Sequence, residues 1–180
     1  MAPVSTVVDG SVFTFPSGWQ ITKIDEWPEQ KKLTSPPFHS KGCDLIAMDG
    51  DVLWLIEAKD YTYPGASAPD DLAEVVGVKA FHSLAVLHAV ARWGSAPNQQ
   101  FSEKALQCRE ARICLAVELP DGGRKLMALA TPLAALSLKL RKITRRMNVH
   151  RPIVSNSHQP NGVPWTISRD PATRGRHLDR

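Results

Sequence analysis

Residues 42–63 read Gly-Cys-Asp-Leu-Ile-Ala-Met-Asp-Gly-Asp-Val-Leu-Trp-Leu-Ile-Glu-Ala-Lys-Asp-Tyr-Thr-Tyr. Two apolar runs, Cys43 to Met48 and Val52 to Ala58, flank Asp49-Gly50-Asp51, whose residue types favour a tight hairpin turn. Strands this apolar belong in a core, so the hairpin limits the fold more than any other stretch. Asp44, Glu57 and Lys59 interrupt or end these runs. A charge in an apolar strand is costly unless it is paired or binds a metal. Function is therefore expected here.

Side-chain alternation tests whether the charges can meet. Glu57 and Lys59 share a strand face with Leu53 and Leu55. A loop of two or four residues puts even-numbered Asp44 on that same face. A loop of Gly50 and Asp51 sets Asp44 opposite Glu57; a loop of Asp49 and Gly50 sets it opposite Leu55, diagonal to Glu57. Either register leaves the carboxylates roughly 4.5–8 Å apart, within reach of one divalent cation. A three-residue loop would send Asp44 to the other face.

The 180 residues are expected to form a single domain over residues 1–168, followed by a polar tail at 169–180. A hydrophobic content of 43% and a charged content of 22% are ordinary for a water-soluble globular chain. No uninterrupted run of about 18 apolar residues is present, so no membrane span is expected. Met1-Ala2-Pro3-Val4-Ser5-Thr6 lacks the basic-then-apolar pattern of a secretory signal. Cys43, Cys108 and Cys114 are an odd set without metal-ligand spacing, which fits free thiols in a reducing cytoplasm. The net charge of +4 hides an asymmetry: residues 124–151 hold eight Lys or Arg and no Asp or Glu. That half could face a polyanion or be a solvated basic surface.

Along the chain, Ser11 to Phe15 is a strand candidate, and residues 19–27 suit a strand or a helix equally. Asp25, Glu26 and Glu29 lie just before the hairpin, and residues 28–40 are expected to be a loop because Pro28 and Pro36-Pro37 break regular structure. A helix is predicted from Asp70 or Asp71 to Arg92, ended by Gly94. Lys79 projects from its apolar arc of Leu72, Val76, Val86 and Val90, either snorkelling to water or meeting the carboxylates. A short helix is expected over 99–110 and a buried strand over 113–117, with residues 124–130 as its hairpin partner after the turn at 120–123. Thr131-Pro132 reads as the start of a helix to Met147. Leu133, Leu136, Leu140, Ile143 and Met147 form its apolar stripe, leaving Lys139, Arg141, Lys142, Arg145 and Arg146 outside and available to phosphates. Residues 151–154 and 163–167 are short strand candidates around an Asn161-Gly162 turn.

An acidic pair plus a lysine suits phosphodiester hydrolysis. Two carboxylates, with the backbone carbonyl of Ala58, offer the oxygen ligands that Mg2+ prefers, and Mn2+ can substitute. A lysine beside them can orient a water and stabilise the charge that develops on phosphorus. Asp44 together with Glu57-Ala58-Lys59 resembles the motif of the PD-(D/E)XK nuclease superfamily, notably bacterial members with a Leu-Ile-Glu-x-Lys-Asp strand, here Leu55 to Asp60. The resemblance implies a restriction-endonuclease-like α/β fold. It would have three layers, α/β/α, around a mixed central sheet, with hairpin 42–60 in its core. It also implies catalytic roles for Asp44, Glu57, Lys59 and Lys79, metal binding by Asp44, Glu57 and Ala58, and DNA as substrate. An upstream acid is implied too; Glu26 is the choice here, with Asp25 and Glu29 competing. Cys43 stands where the motif has proline. The resemblance covers roughly half the chain, fading beyond Ile113. Glu29-Gln30-Lys31, with Asp9 upstream, also fits acid-x-Lys, but no apolar strand carries it. A second reading keeps the fold without the chemistry, as a module that binds nucleic acid, a partner protein or a second copy. The six histidines show no close pairing for zinc, no Gly-rich phosphate loop follows a strand, and no serine or cysteine nucleophile motif is present. Cys43 is expected to be a core thiol facing away from the acids.

Overall fold

The computed structural model describes residues 2–120, 127–149 and 151–170, with the side chains of 127–132 outside the description. The hairpin forms as β4 (Leu45–Asp49) and β5 (Val52–Asp60), paired Asp49 to Val52 and Leu45 to Ile56. The loop is therefore Gly50-Asp51, with Gly50 at φ 55°, a backbone region where a side chain is disfavoured. β3 (Gln20–Thr22) pairs antiparallel with β4. β6 (Glu110–Glu118) and β7 (Ile153–Ser155) extend the sheet in parallel, giving five strands in the order β3-β4-β5-β6-β7. Parallel neighbours need crossover connections. The first runs through α2 (Leu72–Trp93) and α3 (Asn98–Gln107), the second through α4 (Met127–Thr144). This is a mixed α/β architecture with the charged hairpin at its centre.

The helices cover one face of the sheet. Leu53, Leu55, Ile113, Leu115 and Val117 there meet Leu72, Val76, Ala80, Leu87 and Val90 of α2 and Leu133 and Leu140 of α4. The other face is covered by a second sheet: β1 (Val4–Val8), β2 (Ser11–Phe15) and β8 (Thr166–Arg169), antiparallel in the order β1-β2-β8. Phe13, Phe15, Trp19 and Trp165 pack there on Leu45, Ala47, Trp54 and Ile56, with Trp54 and Trp165 edge to face at 4.9 Å. The expected helical third layer is therefore a sheet. Right-handed crossovers stepping in one direction, β5 to β6 to β7, put every crossover helix on the same face. The opposite face then falls to the chain's two ends.

Other elements differ locally. Residues 28–33, expected to be loop, form α1 (Pro28–Leu33), because Pro28 occupies its first turn, where no N–H is needed. Helix α4 starts at Met127, a turn before Thr131-Pro132, so residues 127–130 are helix rather than strand; Met, Ala and Leu are strong helix formers. The rest of that expected strand, 124–126, lies outside the described residues, as does the tail from 171; Arg169 belongs to β8. β7 and β8 join different sheets instead of forming a hairpin across Asn161-Gly162. By length and composition α2 could cross a membrane, although the sequence lacks an uninterrupted apolar run; 44% of its most apolar window is buried against the sheet and neighbouring helices.

Candidate functional site

Asp44 lies one residue before β4, opposite Glu57 in the register of the hairpin. Its Oδ2 accepts the Ala58 N–H at 2.8 Å. A residue's N–H and C=O leave a strand at the same edge, so the Ala58 carbonyl opens at the edge of β5 that Asp44 lines. Glu57 is fully buried. Its Oε1 takes both ammonium groups, Lys79 Nζ at 2.6 Å and Lys59 Nζ at 2.7 Å. Asp44 is 3.6 Å from Lys79 through Oδ1 and 3.8 Å from Lys59 through Oδ2. The structure brings together Asp44, Glu57 and Lys59, and of the two readings open for Lys79 it takes the one that meets the carboxylates. Lys79 therefore faces the carboxylates, and its place in α2 follows from helix phase.

Burial, then the charge of Asp44, pushes the Glu57 carboxyl above its ordinary value against the pull of Lys79 and Lys59. For both lysines burial works downward, but the charges of Glu57 and Asp44 outweigh it and raise the ammonium groups above their ordinary value. The second oxygen of Glu57, Oε2, is buried without a hydrogen-bond partner among the described residues. An unmet buried acceptor is costly, and a cation would satisfy it.

The upstream acids separate. Asp25 faces the cluster: partial burial, then the charge of Asp44, raises its carboxyl, while Lys79 and Lys59 oppose the rise. Glu26 instead points to solvent and pairs with Lys23 at 3.7 Å. Glu29 accepts from the Ser95 hydroxyl at 2.9 Å and from Asn98 Nδ2 at 3.0 Å, far along the chain at the start of α3. Residues 24–26 form a 3-10 turn. Its phase puts Asp25, itself exposed, on the side nearer the cluster, and nothing in the sequence fixes that phase.

Ser83 was not singled out by its sequence. It sits one helical turn after Lys79, accepts the Cys43 N–H at 2.8 Å and donates to the Lys79 carbonyl at 2.9 Å. This ties the start of β4 to α2 at the place where Asp44 must be held. A buried serine four residues from an inward lysine was the available signal. Cys43 packs in the helix-side core near the acids rather than away from them, because strand alternation does not extend beyond Asp44. Burial, then Glu57, raises its thiol strongly, so it is an inert core thiol.

Lys139, Arg141 and Lys142 are exposed on α4, and Arg145 and Arg146 on the 3-10 turn that follows it; the Lys139 ammonium donates to the Asp70 carbonyl at 3.1 Å. None of them joins the cluster. A Cβ on Gly77 would overlap Ile143 of α4. Gly77 and Lys79 are about 200° apart around α2, so this helix stands between α4 and the carboxylates.

Among the described residues no group of three or more His, Cys, Asp or Glu is placed to hold a metal. The cluster offers two carboxylates and one carbonyl, hard oxygen donors of the kind that Mg2+ accepts alongside water. With Glu57 Oε2 unpartnered, this donor set fits a divalent cation.

No family model matches the chain, and no solved structure matches it. It is 31% identical, over 198 aligned positions, to a cysteine–tRNA ligase of Neisseria meningitidis serogroup A, an alignment covering 87% of this chain. The chain spans 28% of the length of that relative.

Proposed function

We propose that the chain is a Mg2+-dependent nuclease of the PD-(D/E)XK type with a restriction-endonuclease-like core, hydrolysing phosphodiester bonds of DNA. The observation that carries this reading is the convergence of Asp44, Glu57 and Lys59 on one hairpin face, with Glu57 fully buried and one of its oxygens unpartnered. The mixed sheet around that hairpin supports the fold. The sheet on its second face departs from the α/β/α arrangement that the motif implies.

Asp44, Glu57 and the Ala58 carbonyl would hold Mg2+ or Mn2+; bound there, the cation supplies charge neutralisation for a phosphate and a water of lowered pKa. Lys59, with 27% of its side chain exposed, would orient that water and meet the charge developing on the phosphate. Asp25 stands at the edge of the cluster, where it adds negative charge beside Asp44. The exposed cations of α4 remain proposed phosphate contacts, reached only by a nucleic acid that passes behind α2. Lys41 and His39 belong to the segment that leads into Asp44 and offer a second route.

A second reading, a binding module without chemistry, is favoured by the balanced ion pairs of the cluster and by the partial likeness to a ligase whose name includes tRNA. RNA therefore belongs in the assay. Plasmid, oligonucleotide DNA and RNA are incubated with Mg2+, Mn2+ or EDTA. Cleavage that needs the cation supports the nuclease. Binding without cleavage, and without Mn2+ uptake, favours the module.

A further inference from the structure

Lys79 sits between the two carboxylates proposed to hold the cation. The Ala58 N–H already occupies Asp44 Oδ2, so Oδ1 is the Asp44 oxygen left for a ligand role. Lys79 Nζ lies 3.6 Å from that Oδ1 and 2.6 Å from Glu57 Oε1, between the two carboxylates. Lys59 approaches Asp44 from the Oδ2 side instead. A cation held by the same two carboxylates would bring a second positive charge beside that ammonium group, and like charges repel strongly in a half-dry site.

We propose that Lys79 is a built-in counter-cation, holding Asp44 and Glu57 until a divalent ion displaces it. This rests on reading the two carboxylates as a cation site. The lysine has somewhere to go. Helical side chains lean back over the preceding turn, which places the stem of Lys79 along Val75, whose side is 38% exposed. The ammonium can then reach water while the stem stays packed. Lys59 remains on Glu57 in either state. The arrangement keeps the acids compensated when no cation is bound and makes cation entry a one-for-one exchange of positive groups.

Two measurements test this. Isothermal titration with Mn2+ at fixed pH and salt compares the wild type with Lys79→Met, Lys79→Arg and Glu57→Gln. Lys79→Met is expected to bind Mn2+ at least tenfold more tightly, and Lys79→Arg to stay near the wild type. Equal or weaker binding by Lys79→Met overturns the proposal. The wild type alone gives the second test, whether or not that variant folds. Lysine acetylation followed by mass spectrometry should modify Lys79 several-fold faster with saturating Mn2+ than with EDTA, while the exposed Lys104 is unaffected. An unchanged or slower Lys79 rate overturns the proposal. If the wild type and Lys79→Met both take up no Mn2+ that Glu57→Gln abolishes, the cation site itself is refuted and the exchange with it.

Discussion

Glu57 has no exposed surface, shares one oxygen between two ammonium groups and leaves the other without a partner among the described residues. Such a side chain is hard to explain by stability alone, since a buried pair often does no better than an apolar replacement. Its neighbour Lys59 provides a sharp test. Lys59→Met is expected to lower the cleavage rate at least 100-fold while changing Mn2+ affinity less than threefold, because the ammonium touches the reacting phosphate rather than holding the ion. That role of Lys59 is the proposed one; initial rates and calorimetry on the same preparation check it, and retained activity would remove Lys59 from the chemistry. The residue pairing was legible because strand alternation is strict: the parity of Asp44 and Glu57 follows from a two-residue loop. It ceased to be legible beyond Asp44, which its bond from the Ala58 N–H holds in the hairpin's register. Cys43 lies one residue beyond Asp44, already outside β4, and took the opposite side from the one alternation would assign. Glu26 and Asp25 are separated by a 3-10 turn whose phase rests on tertiary packing of Ile24 and Trp27.

At the scale of elements, α2 sets the site by presenting Lys79 and Ser83 to the hairpin and Gly77 to α4. Gly77→Ala gains about 1 kcal/mol of helix propensity but forces a methyl against the stiff, β-branched Ile143. We expect a net loss of about 1–2 kcal/mol, read as a lower denaturant midpoint with an unchanged slope. Helix α3 carries a different dependence. Burial acts upward on the Glu29 carboxyl, but hydrogen bonds from Asn98 and Ser95 lower it to about 2. A lowered folded value means that the contribution is present in full above the ordinary value of 4.5 and is lost as pH falls through about 2. Glu29→Gln should therefore cost about 1 kcal/mol at neutral pH and flatten the fall in stability between those limits, as acid titration of unfolding would show. The long helix was legible from its periodicity and from Gly94. Short elements were not: α1 rests on Pro28 fitting a first turn, and β1 on a partner strand, neither of which periodicity reports.

Across the whole molecule, the charged hairpin lies between a helical layer and an aromatic-rich sheet, and the basic helix lies behind α2. The central strands were legible because their apolar runs fit only a buried sheet. The second sheet was not, since β8 comes from the far end of the chain and pairs with β2 across about 150 intervening residues. This placement separates two routes for nucleic acid. If it runs along α4, Arg141→Ala/Arg145→Ala should reduce the log–log salt slope by about 0.9 for each duplex phosphate no longer neutralised; if it follows the segment before Asp44, Lys41→Ala should do so and the α4 variant should not. Affinity measured in EDTA at several salt concentrations decides between them. The central claim is that Asp44 and Glu57 serve a cation that cleaves nucleic acid, and the direct measurement is a side-by-side cleavage assay of wild type, Asp44→Asn and Glu57→Gln with Mg2+ and with EDTA. We predict cation-dependent cleavage by the wild type and none by either folded variant. Wild-type rates indistinguishable from those in EDTA, or retained by the variants, would contradict it.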